Sequence, residues 1–153
     1  MTELISLIAL CTSCLLLFVH YRNQIERRHG EIAKLRSGHI QRLSSTHNIL
    51  MSVQMHLETA RMELRRTREC NGKYEAIEVM PPLIKRTQKL VQTLVILKKE
   101  LEELDTEKKN TGKTLIYLQS LEHPVHEIEE MSNDLAKESF ELIGTICREQ
   151  KET

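Results

Sequence analysis

The chain has 153 residues, of which 29% are charged and 3% aromatic, with no Trp, three Pro and five Gly. The 22 basic side chains balance the 22 acidic ones, so the formal net charge is zero. A globular enzyme core of this size would carry more aromatic side chains. The dominance of Leu, Ile, Lys, Glu and Arg is instead the composition of long helices and coiled coils.

The first segment, Leu4 to Val19, contains sixteen residues without a charge. At 1.5 Å per helical residue, Thr2 to Tyr21 would extend over about 30 Å, the hydrocarbon thickness of a bilayer. Residues 1–21 are therefore expected to form an uncleaved transmembrane anchor, with Tyr21 at the interface. A cleaved signal peptide fits less well, because Glu3 is the only charged side chain ahead of the run and no small-residue cleavage site follows it.

Residues 22–43 read as a basic juxtamembrane helix, with a hinge expected near Ser37-Gly38, since each helical Gly costs about 1 kcal/mol relative to Ala. Arg22, Arg27, Arg28, Lys34 and Arg36 form a one-sided basic cluster. By the rule that Lys and Arg stay on the cytoplasmic side, the cluster predicts a single-pass protein with its N-terminus outside and its bulk cytoplasmic. The same side chains are candidates for contact with anionic lipid head groups.

From residue 44 the pattern becomes heptad. Leu43, Leu50, Leu57 and Leu64 form one row, and Thr46, Val53, Ala60 and Thr67 form a weaker one. No suitable basic region precedes this zipper-like row, so no nucleic-acid partner is expected. Asn71-Gly72 should end the helix. Pro81-Pro82 should open the next, with Pro82 in its first turn. The second seam is Leu83, Thr87, Leu90, Leu94, Leu97, Leu101 and Leu104, with Leu94 and Leu97 at its centre. Gly112 is expected as a C-cap in the left-handed conformation. Gly112-Lys113-Thr114 lacks the earlier Gly and the strand of a phosphate-binding loop.

The third helix should run from about Thr114 to Arg148, restarted or kinked at Pro124. Its rows are Leu118, Val125, Ser132, Ser139 and Ile146, and Leu121, Ile128, Leu135 and Leu142. Residues 149–153 read as a frayed tail. Charge is unevenly spread: the balance is +5 over residues 1–73, +1 over 74–121 and −6 over 122–153. Basic first helix against acidic third favours an antiparallel three-helix bundle over residues 44–148. This plan resembles a spectrin-type repeat in layout, although no Trp marks the first helix. A long coiled-coil dimer is the alternative, and homo-oligomerisation would follow from it.

Candidate chemistry is sparse. His123, His126 and Glu130 share a helical face, but no zinc-site spacing accompanies them. His29 and His39 fall on the first seam, where they could act as pH-sensitive wedges. Cys11 and Cys14 lie within the apolar run, and Cys70 and Cys147 read as free thiols. No nucleophile motif or nucleotide loop is present, so no catalytic residue, metal or cofactor is assigned. The expected function is a membrane-anchored coiled-coil scaffold or adaptor acting through an unidentified protein partner. The acidic face of helix three, at Glu129, Glu130 and Asp134, is the candidate docking surface. Two other layouts compete: a periplasmic coiled coil similar to phage inner-membrane spanins, and a regulatory subunit of a membrane complex.

Overall fold

A computed structural model describes the backbone of residues 2–71, 75–104 and 111–151, and the side chains of 12–66, 79–104 and 111–148. The fold is all-α. Among the described residues four helices follow in order: α1 Thr2–Asn71, α2 Glu75–Glu103, α3 Thr111–Ser120 and α4 Glu122–Lys151.

Contacts divide the chain into two compact units, Met1–Ser37 with Asp105–Gln119, and Gly38–Leu104 with Ser120–Thr153. In the first unit Ile32 and Leu118 are fully buried. The apolar side chains from Leu15 to Val19, by contrast, are all exposed.

The transmembrane anchor expected at residues 1–21 is not supported. Among the described residues no helix is long and apolar enough to cross a membrane. The side chains of Leu4 to Cys11 lie outside the described residues. The uncharged run itself, Leu4 to Val19, has sixteen residues, or about 24 Å of helix against about 30 Å of hydrocarbon. The N-out orientation and single-pass localisation were derived from that span and fall with it.

The second unit holds the heptad core. On α1, Leu43, Leu50, Leu57 and Leu64 are buried together with Thr46, Val53 and Ala60. On α2 the buried positions are Met80, Leu83, Ile84, Thr87, Leu94 and Leu101. On α4 they are Val125, Ile128, Ser132, Leu135, Ala136, Ser139 and Ile146. Removing a Leu side chain of this kind from water contributes about 1.5–3 kcal/mol.

The register of the three helices can be read from named pairs. α2 packs along α4, with Arg86 3.5 Å from Glu138 and Met80 in one apolar cluster with Ile146. Numbers rise on one helix as they fall on the other, so the pair is antiparallel. Arg42 meets Glu122 and Glu129, His56 meets Phe140, and Ala60 and Leu64 share the cluster of Ile146. Numbers rise together, so α1 and α4 are parallel. This is the up-down-up order.

Three of the small polar seam residues answer their own hydroxyls. Thr46 donates to the Arg42 carbonyl at 3.0 Å, Thr87 to Leu83 at 2.9 Å and Ser132 to Ile128 at 2.6 Å. Such bonds to the preceding turn let a hydroxyl stay buried without leaving the helix.

Several boundaries differ from the sequence expectations. α1 is continuous in backbone through Gly30 and Ser37-Gly38, where the boundary between the two units falls, and neither Gly has a neighbour where a Cβ would stand. α1 ends at Asn71, as expected, and residues 72–74 lie outside the described residues. α2 begins at Glu75, not at Pro82, and carries Pro81 and Pro82 inside it. Both prolines are exposed, so their rings meet solvent, although each still removes one backbone hydrogen bond. Gly112 is not a left-handed cap: it sits in the first turn of α3. Pro124 does mark a restart, with a turn at Leu121 and the Val125 amide donating to the Leu121 carbonyl at 2.9 Å. Pro is welcome there because the first-turn amides have no intrahelical acceptor. The expected tail is helical to Lys151.

Candidate functional site

The face shared by α1 and α4 concentrates the polar contacts of the second unit. Arg42 stands beside the α1 seam, and Glu122 and Glu129, seven residues apart, stand beside the α4 seam. The parallel register brings them together. Arg42 Nε donates to Glu129 Oε1 at 2.9 Å, and Nη2 donates to Oε2 at 2.6 Å. The remaining Nη1 donates to Glu122 Oε1. One guanidinium thus holds two carboxylates, one of them through the side-on fork that Lys cannot form. Hydrogen bonding to Glu129, then to Glu122, raises the Arg42 pKa further. The bond from Arg42 holds the Glu129 carboxyl below its ordinary value of 4.5.

Histidines surround this clamp. Buried His39 places Nδ1 3.9 Å from Glu122. Exposed His126 lies 3.9 Å from Glu129 and 3.4 Å from Glu130. His123 lies 3.7 Å from Glu127. These are pairwise contacts; among the described residues no group of three His, Cys, Asp or Glu side chains could hold a metal ion.

Two depressions follow one another along the α1–α4 seam. The upper one, about 370 Å³, is walled by Gln41, Arg42, Ser45 and Ile49 on α1 and by His126, Glu129, Glu130 and Asn133 on α4. The lower one, about 350 Å³, is walled by Met55, His56, Thr59 and Glu63 on α1 and by Ile143, Ile146 and Cys147 on α4. Between them the His56 ring meets the edge of Phe140, with centroids 5.6 Å apart. His56 Nδ1 lies 2.6 Å from the Ser52 carbonyl. A carbonyl only accepts, so this nitrogen carries the proton. At the rim Met55 is 67% exposed and Phe140 48%.

The expected docking residues separate in this setting. Glu129 faces α1 and is held by Arg42, so it is a structural partner and not a free surface charge. Glu130 and Asp134 are exposed. Arg22 pairs with Glu26 at 3.0 Å on the same helix. Arg27, Arg28 and Lys34 are exposed and Arg36 is half-buried. Cys14 and Cys147 are free and exposed; the side chains of Cys11 and Cys70 lie outside the described residues.

No protein family, curated protein or solved structure matches this chain.

Sequence reasoning missed the groove. Met51, Met55 and Met62 recur at spacings of four and seven, and all three are exposed. That spacing places them on one face of α1, beside the heptad row, which was the available signal.

Proposed function

We propose that this chain is a helical scaffold or adaptor that acts by receiving a helix of another protein in the groove between α1 and α4. One observation carries the reading: Met55 stands exposed over a floor that includes Ala60 and Ile146, and exposed Phe140 meets the His56 ring of the same wall. Flexible, polarizable Met side chains suit a surface that adapts to a partner. A groove between two packed helices is the natural seat for the apolar face of another.

A photo-crosslinking residue at Thr59, in the groove, tests this against one at Gln92, exposed on α2. The reading predicts a discrete adduct with a different chain from Thr59 alone, lost on Met55→Lys. The same adducts from both positions, or adducts only with copies of this chain, would contradict it.

A further inference from the structure

The two depressions differ in chemistry, and the difference describes the occupant. The lower one offers apolar contact through Met55, Ile143 and Ile146. The upper one offers hydrogen-bond acceptors and charge through Glu129, Glu130 and Asn133. Four charged side chains line the pair of depressions: Arg42, Glu63, Glu129 and Glu130. In the upper one Arg42 is committed to Glu129 and Glu122, and exposed Glu130 has the His126 imidazole at 3.4 Å. A ligand entering the groove therefore meets an apolar floor at one end and, at the other, the carboxylates of Glu129 and Glu130 against the one guanidinium of Arg42.

We infer that the groove takes an amphipathic helix that is basic, with a bulky apolar side chain seated at Met55 and Ile143 and a Lys or Arg seated at Glu130 and Asn133. The inference rests on the reading of the groove as a docking site and adds the chemistry of the partner. The spacing follows from α4 itself. Asn133 and Glu130 wall the upper depression and Ile143 the lower, ten and thirteen positions further along, or about 15–20 Å of helix. The two anchors on the partner helix should therefore lie about three to four turns apart. An acidic helix with the same apolar face would bring like charge against Glu130 and Glu63.

The test uses the full chain and two fluorescently labelled synthetic helices. Both carry the same apolar face and one Phe anchor; one has Lys on its flanks and about three to four turns from the Phe, the other has Glu there. Fluorescence anisotropy is read at low salt and at 0.3 M salt. The Lys helix should bind saturably, at least tenfold tighter than the Glu helix, and weaken as salt rises. Met55→Lys should weaken it tenfold or more. Glu130→Lys should weaken the Lys helix severalfold and strengthen the Glu helix. Both variants replace exposed side chains, and circular dichroism melts verify that each remains folded.

Equal binding of the two helices, or an unchanged preference in Glu130→Lys, overturns the assignment of a basic partner while leaving the groove as a docking site. Binding of neither helix, or binding indifferent to Met55→Lys, overturns the groove together with its partner. A dimer of this chain that Met55→Lys dissociates in sedimentation also overturns the inference, because the groove would then be filled by a second copy.

Discussion

Arg42 on α1 grips Glu129 on α4 through two parallel hydrogen bonds of 2.9 and 2.6 Å. Both side chains are partly shielded from water, at 31% and 24% exposure. The pair fastens the α1–α4 seam at the same end as the upper depression. A bidentate, partly buried pair contributes more than the fraction of a kcal/mol typical of an exposed one.

Arg42→Ala should therefore destabilise the protein by about 1–2 kcal/mol. Arg42→Lys keeps the charge but loses the fork, and should recover about half of that loss. Thermal or urea unfolding of the two variants measures both. Equal stability of Lys and Arg at this position would show that the fork is immaterial.

The same pair predicts a pH dependence. Glu129 is held below its ordinary value of 4.5 in the folded state, chiefly by the hydrogen bond from Arg42. Its contribution is thus fully present above that unfolded value and is lost as pH falls through the lower, folded value. The stability gap between wild type and Arg42→Ala should stay constant from about pH 7 to pH 5 and shrink below about pH 4. Melts across that range check it, and a gap undiminished at pH 3 would assign the effect to packing.

Ser139 is fully buried and its hydroxyl has no hydrogen-bond partner. A buried hydroxyl without a partner carries its desolvation cost uncompensated, about 1–3 kcal/mol. Ser139→Ala should raise the melting temperature by a few degrees. Ser132→Ala should change it little, since that hydroxyl is already satisfied by Ile128. Differential scanning calorimetry of the two variants separates them, and a lower melting temperature for Ser139→Ala would refute the account of this site.

The heptad rows of α1 and α4 were legible in sequence because period seven fixes which side chains face inward. Leu43 to Leu64 and Val125 to Ile146 lie where the rows put them. The periodicity could not rank positions within a seam. Leu94 and Leu97 look equivalent in sequence, yet Leu94 is buried and Leu97 is half-buried. Local propensity misled at Pro81-Pro82 and at Gly112, where burial of Met80 and Leu83 and the start of α3 override the preferences of single residues. The acidic face of α4 was visible, but the different duties of Glu129 and Glu130 depend on which flank α1 occupies. Glu122 and Glu129 each follow a seam residue by one position, which is where a charge meets the neighbouring helix.

Leu94→Ala should cost about 2–5 kcal/mol and Leu97→Ala clearly less, roughly 1–2 kcal/mol. Unfolding by urea measures both on one scale. Equal losses would mean that Leu94 and Leu97 are buried alike.

The central claim is that α1 and α4 lie side by side and parallel within one chain, and so form the groove. Spin labels at Asn48 and Asn133, in a background with the four cysteines replaced by Ser, test it through their separation in pulsed electron resonance. Packed helix axes lie roughly 10 Å apart, so the labels should give one narrow distribution near about 20 Å. That distribution should persist when labelled chain is diluted with unlabelled chain. A separation beyond about 30 Å, or a signal that disappears on dilution, would contradict the bundle and favour pairing between chains.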